Sequence, residues 1–278
     1  MGAAPNVRLR LSNRAENVLL IRQALSGLAE AVGLDAVALN DVSTAVTEAA
    51  NNVVLHAYEG DEGPLEVEFS STAVGLDVLV ADRGQGIAPS IRSGDAVSDG
   101  IGLPVIQALT DSVEFRDRPS GGTEVAMHFE LDQARPLDDA PGLAVAGEQA
   151  AIDPDRPEGI VLGVAPTAVA RNVVPRVLST LAARAYFSTD RISDAQLLAD
   201  TLVSELDGAV DGPLLVGVTV LPRNLELRIG PLLSGRAGML FNGEDEELGS
   251  ILGRLTDGHA VSESGTLELL DLRMAQRG

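Results

Sequence analysis

Three short segments in a fixed order constrain this chain most: Glu48-Ala-Ala-Asn51-Asn52-Val-Val-Leu-His56-Ala57, then Asp82-Arg-Gly84-Gln-Gly86-Ile87, then Asp99-Gly100-Ile101-Gly102-Leu103. On a helix expected from about Leu39 to Ala57, Glu48, Asn52 and His56 recur every fourth residue and share one stripe. Val42, Val46, Ala49 and Val53 share another, roughly 100° away. One stripe packs on a sheet and the other faces a cleft. A carboxylate in that cleft can take a proton from a hydroxyl nucleophile, and a neutral amide oxygen can ligate Mg²⁺ without pairing with the base.

Asp82 closes the strand-like run Leu76–Ala81 just before a glycine turn. A carboxylate there can accept a hydrogen bond from an amino group such as that of adenine, while Gly84 and Gly86 let the backbone approach a ligand. Gly100 and Gly102 precede a helix whose first amides can hold phosphate oxygens. A fourth piece, Gly121-Gly122-Thr123, opens an alternating run to Phe129. Taken singly, each piece also fits a polar helix edge, an ordinary turn or a loop-to-helix junction. Their order together points to an ATP site.

Composition removes other classes. The net charge of −21 repels phosphate backbones and anionic lipid, and five Phe and two Tyr without Trp leave little for stacking on bases. Direct nucleic-acid binding and membrane association are therefore not expected. No run of about 18 apolar residues occurs and the first residues lack the order of a signal peptide, so the cytoplasm is the expected compartment. The absence of Cys excludes disulfides and thiolate metal sites. All twenty basic residues are Arg, so neither a P-loop Lys nor a Schiff-base Lys exists.

Along the chain, Val7–Ser12 alternates as a strand, and Ala15–Val32 has apolar residues at helical spacing. The second helix has Asn40 or Asp41 near its cap. Strands are expected at Leu65–Ser70 and Leu76–Ala81, a helix at Leu103–Leu109, and strands at Val113–Arg116 and Thr123–Leu131. That order predicts an α/β sandwich with helices on one sheet face. Residues 132–158 are acidic, Pro-rich and aperiodic, and read as a linker between a domain at 1–131 and another at 159–278.

Past the linker the element order returns, and the residues partly return with it. Leu25, Ser26, Leu28 and Ala29 fall on Leu178, Ser179, Leu181 and Ala182; Leu109-Thr110-Asp111 falls on Leu255-Thr256-Asp257, and Gly122-Thr123 on Gly265-Thr266. This predicts a tandem duplication. The chemistry is not repeated: Thr201, Glu205 and Pro231 stand at the positions of Glu48, Asn52 and Asp82, and Asp245-Glu246-Glu247-Leu248 at those of Gly100-Ile101-Gly102. Carboxylates there repel phosphates. The second copy is expected to keep the fold, bind no nucleotide, and serve a partner or mimic a dimer subunit within one chain.

The four pieces in this order resemble the GHKL (Bergerat-fold) ATPases, which include gyrase, histidine-kinase catalytic domains and anti-sigma-factor serine kinases. Within that superfamily TEAANNVVLHAY closely resembles the first conserved box of the anti-sigma-factor serine kinases, and ADRGQGI, DGIGLPVIQALTD and GGTEVAMHF resemble the others, over roughly residues 7–131. The resemblance implies a two-layer Bergerat sandwich that uses ATP and Mg²⁺. It implies Glu48 as general base, Asn52 as Mg²⁺ ligand and Asp82 as adenine contact. Gly84, Gly86, Ile87, Gly100, Ile101, Gly102 and Leu103 would line the nucleotide and its lid, with Thr123 at the adenine end. His56 matches the family position and reads as structural, since Glu48 and Asn52 fill the base and metal roles. Arg92 is a candidate for neutralising phosphate or, equally, a solvated lid residue.

The family's reaction is phosphoryl transfer to a serine of an anti-anti-sigma factor, with sequestration of a sigma factor by the same protein. The alternative is a non-catalytic adaptor that senses ATP or sequesters a sigma factor or other regulatory partner. Glu48 favours the kinase, because a module that only holds nucleotide needs no base there. The degenerate half and the acidic surface favour the adaptor.

Overall fold

The computed structural model describes residues 4–86, 102–119, 121–131, 137, 143, 159–206, 208–242 and 246–277. The chain divides into two compact units, Met1–Asp139 and Ala140–Gly278.

Unit 1 contains β1 (Val7–Ser12), α1 (Asn17–Val32), α2 (Ala36–His56), β2 (Pro64–Thr72), β3 (Gly75–Asp82), α3 (Gly102–Leu109), β4 (Ser112–Asp117) and β5 (Thr123–Glu130). Its strands lie in the order β4-β5-β3-β2-β1, all neighbours antiparallel. The period-2 pattern sorts β1 cleanly. Val7, Leu9 and Leu11 are buried, while Arg8 and Arg10 face the other side and pair with Glu68 and Glu66 directly across in β2, at 2.7 and 3.2 Å. Phe69, Leu65 and Val80 continue the buried face, against which α1 and α2 pack.

Helix α2 begins earlier than the sequence suggests. Asp35, rather than Asn40 or Asp41, is its N-cap: Oδ1 accepts the N–H groups of Val37 and Ala38, both at 2.9 Å. The start at Ala36 gives 21 residues, enough for the helix to carry its valine stripe over the sheet. Val42, Val46, Ala49 and Val53 are all buried, as the spacing requires, and Ala45 and Ala50 widen the stripe.

Unit 2 contains β6 (Gly159–Val164), α4 (Thr167–Arg184), α5 (Thr189–Glu205), β7 (Val210–Leu221), β8 (Asn224–Leu233), α6 (Arg236–Asn242), α7 (Glu246–Leu255), β9 (Gly258–Ser264) and β10 (Leu267–Ala275). Its strands lie in the order β6-β7-β8-β10-β9, again antiparallel. Numbered within each unit, both sheets run fourth, fifth, third, second, first.

A corner before the fourth strand is also built alike in the two units. In unit 1 Thr110 Oγ1 donates to the Ile106 carbonyl at 2.8 Å, Asp111 N–H to the His128 carbonyl at 3.0 Å, and Glu130 N–H to Asp111 Oδ2 at 2.7 Å. In unit 2 Thr256 Oγ1 donates to Leu252 at 2.9 Å, Asp257 N–H to Arg273 at 2.8 Å, and Ala275 N–H to Asp257 Oδ2 at 2.8 Å. The threonine caps a carbonyl at the helix end and the aspartate ties the chain reversal to the fifth strand.

Candidate functional site

Helices α2 and α3 pack together in unit 1, Ile106 fully buried between them and the sheet. The packing brings the predicted base and metal ligand to the start of α3. A Cβ placed on Gly102 would stand 3.0 Å from Glu48 Oε2 and 3.6 Å from Asn52 Oδ1. Glycine at this point leaves the space in front of both side chains open. Neither is fully buried. His56 is exposed on the last turn of α2, where a charged imidazole favours the helix C-terminus.

Asp82 is the last residue of β3 and only 3% exposed. Its Oδ1 accepts the Gly84 N–H at 2.7 Å. A carboxylate has about four acceptor positions, so this bond leaves capacity for an external N–H donor. Packing also holds Gly84 to glycine: a Cβ would overlap the Ala57 carbonyl at the end of α2. Gly122, at φ 92°, passes so close beneath the turn that a Cβ would overlap the Asp82 carbonyl, and its backbone conformation is one that L side chains avoid. Thr123, beside it, opens β5 opposite Asp117. Leu103 is partly buried in the first turn of α3. Ile87, Arg92, Gly100 and Ile101 lie outside the described residues.

Several supporting residues were given no role by the sequence, although Tyr58 and Arg83 lie inside the matched segments. The Tyr58 hydroxyl donates to the Pro64 carbonyl at 2.6 Å and accepts the Arg83 N–H at 2.8 Å. Glu66 is ringed by Arg10, Arg83 and Arg118 at 3.2, 3.0 and 3.3 Å, and Arg118 also reaches the Asp82 carbonyl at 3.4 Å. Burial raises the Glu66 carboxyl, but the arginines, Arg10 and Arg118 foremost, hold it on balance below the usual range. Arginine-to-glutamate matching at i and i+2 along β1 and β2 was the available signal for one of these contacts, Arg10 with Glu66.

The donor set fits a magnesium nucleotide. It has a buried strand-end carboxylate beside a turn of closely packed glycines, and an amide and a carboxylate facing one open point at a helix start. Among the described residues no group of three or more His, Asp or Glu could hold a metal by itself. Hollows of about 530 and 570 Å³ lie on the open sheet faces of units 2 and 1, lined by Arg228 and Asp271 and by Asp77 and His128, and include none of these residues.

At the matching positions of unit 2 the described residues differ. Thr201 turns its hydroxyl back to the Leu197 carbonyl at 2.8 Å, and Glu205 is exposed. Counted along β8 from Glu226, Pro231 stands at the position of Asp82 counted along β3 from Asp77. Glu226 opposite Arg273 matches Asp77 opposite His128, so the register sets Glu268, rather than Thr266, at the position of Thr123. The connection between the fourth and fifth strands sets the difference from the sequence alignment: Asp117 lies opposite Thr123 in unit 1, and Glu263 opposite Glu268 in unit 2. Glu268 is buried, and its two oxygens accept the N–H groups of Gly235 and Ala237 at 2.6 and 2.9 Å.

Residues 11–129 match the histidine kinase-like ATPase domain. The serine-protein kinase RsbW of Bacillus pumilus is 31% identical over 144 residues, 46% of this chain and 88% of that protein. RsbW of Bacillus subtilis is 32% identical over 145 residues, 48% and 89% of the two chains. RsbW of Listeria monocytogenes serotype 4a is 36% identical over 122 residues, 39% and 78%. No helix among the described residues is long and apolar enough to cross a membrane. Through the half that carries Glu48, Asn52 and Asp82, this chain belongs to the family of the RsbW serine-protein kinases.

Proposed function

We propose that unit 1 binds ATP with Mg²⁺ and transfers the γ-phosphoryl group to a serine of an anti-anti-sigma partner, and that the same protein sequesters a sigma factor in the cytoplasm. The observation that carries the reading is the convergence of Glu48 and Asn52 on the open side of Gly102. In this reading Asp82 accepts the adenine amino group and Thr123 supports that end of the base. Gly84, Gly86, Ile87, Gly100, Ile101, Gly102 and Leu103 line the nucleotide and its lid. Asn52 holds Mg²⁺, which neutralises charge on the phosphates.

Glu48 takes the proton of the serine hydroxyl as its oxygen bonds to the γ-phosphorus. The bond from that phosphorus to the β–γ bridging oxygen breaks, and ADP leaves with the electron pair. Since little covalent work falls to the protein, positioning and charge stabilisation are its main contributions.

For unit 2 the reading is a degenerate copy of the same two-layer sandwich, arisen by duplication and without a nucleotide. The shared strand order and the paired Thr-Asp corners support it. A chain that carries both copies is expected to act as an intramolecular pseudo-dimer and to run as a monomer in light scattering.

Incubation of the whole chain with labelled Mg-ATP and candidate anti-anti-sigma proteins from its own genome tests the kinase reading. Phosphoserine on a partner, lost with Glu48→Ala, is the expected result. Tight nucleotide binding without any phosphoserine would favour the adaptor.

A further inference from the structure

We infer that Tyr58 is a positioning residue for the nucleotide site: its hydroxyl clamps the end of α2 to the turn after β3 and thereby fixes Asp82 relative to Glu48 and Asn52. The inference rests on the reading of unit 1 as an adenine-nucleotide site.

Tyr58 stands two residues beyond the last residue of α2, His56. Its hydroxyl donates to the Pro64 carbonyl, at the first residue of β2, and accepts the N–H of Arg83, the residue between Asp82 and Gly84. One oxygen thus joins three elements of the site. The ring occupies the side of Gly63 where any side chain would stand, since a Cβ on Gly63 would overlap it. Two backbone contacts reinforce the clamp. Gln85 N–H donates to the Ala57 carbonyl at 3.2 Å, and Gly84 packs against that same carbonyl. Among the described residues, the tyrosine's is the side-chain contact that joins residues 83–85 to the end of α2. Burial raises the Tyr58 phenol above its ordinary range, so it stays neutral near pH 7 and keeps both its donor and its acceptor role.

Unit 2 closes the matching junction without a phenol. There Val210 pairs with Leu232, and Leu233 N–H donates to the Ala209 carbonyl at 2.9 Å, so a strand ladder does the joining. In unit 1 the β2–β3 ladder ends at Leu65 opposite Asp82, and the chain beyond it turns away as a loop. A ladder would leave residues 83–86 extended and take their amides out of the cleft. The tyrosine hydroxyl holds the junction and leaves the turn free to face a ligand.

The test is calorimetry on the full chain with ADP and with inosine diphosphate, which carries a carbonyl where adenine has its amino group. Wild-type protein is expected to prefer ADP by about tenfold or more, the scale of a hydrogen bond to a charged group. Tyr58→Phe keeps the ring and removes the clamp. It should weaken ADP by about tenfold while leaving inosine diphosphate within about twofold, so the preference collapses. Gly63→Ala displaces the ring without altering the hydroxyl and should reproduce the collapse, which keeps the test open if either variant folds poorly. An ADP preference unchanged in a folded variant overturns the role of Tyr58 and leaves the site reading intact. Equal loss of both nucleotides marks a merely structural tyrosine and overturns it as well. Wild-type protein that binds neither nucleotide, or both alike, overturns the site reading and the inference with it.

Discussion

Asp82 Oδ1 accepts the Gly84 N–H at 2.7 Å, so the carboxylate that ends β3 also shapes the turn that follows it. Asp82→Asn keeps an oxygen able to accept that N–H but removes the charge offered to an adenine amino group. Hydrogen bonds to charged groups contribute about 1.5–3 kcal/mol, so ADP affinity should fall by about tenfold to a hundredfold while the thermal midpoint moves little. Calorimetry of the folded variant decides it. Unchanged affinity would remove Asp82 from the site.

Glu48 faces the open point at Gly102 from the same helix as Asn52, yet the two are assigned different work, and single substitutions separate them. Glu48→Ala should leave nucleotide binding within about twofold and lower phosphotransfer by about 10²–10⁴-fold, the range for a lost general base. Asn52→Ala should weaken Mg-ATP far more than metal-free nucleotide. Wild-type transfer rates in Glu48→Ala, measured as labelled phosphoserine, would refute the base assignment.

The parts legible in the sequence were those with a period or a motif. The valine stripe of α2 and the alternation of β1 gave the buried faces, and the recurrence of Leu-Thr-Asp marked two corners that make the same hydrogen bonds. What stayed hidden depends on neighbours distant in the chain. The cap at Asp35 lies about two turns before the valine stripe begins at Val42. Tyr58 acts through Pro64 and Arg83, up to 25 positions away. Glu268 is brought to the place of Thr123 by the length of the β9–β10 connection, which no pattern of residue types announces.

The Glu66 cluster makes a prediction about acid. Its folded carboxyl titrates below its unfolded value, so the stabilisation is fully present above about pH 4.5 and is lost as pH falls through the folded value. Asp257 behaves alike in unit 2. Burial raises it, and the Ala275 N–H, Arg277 and Arg191 together hold it low. Urea melts between pH 6 and pH 3 should therefore show stability falling steeply below about pH 4.5 in the wild type. Glu66→Gln should lower stability at pH 6 and flatten that fall. A slope equal to the wild type's would show that Glu66 titrates no differently in the folded and unfolded chains.

Glu268 is buried in unit 2 with both oxygens on backbone amides, and this sets the last prediction. Gly235 and Ala237 flank the start of α6, where N–H groups lack partners within the helix. A carboxylate already held there leaves those amides nothing to offer a nucleotide. Pro231, at the place of Asp82, has no side-chain acceptor for a base. Amide exchange on the full chain with saturating ADP should thus slow within residues 7–131 and stay unchanged at Gly235 and Ala237. Glu268→Ala should destabilise unit 2 by about 1–3 kcal/mol, the penalty for leaving buried donors unpaired, and should create no ADP binding there. Protection of the Gly235 or Ala237 amides by ADP in the wild type would mean that the second unit still holds a nucleotide, and the account of it as a degenerate copy would fall.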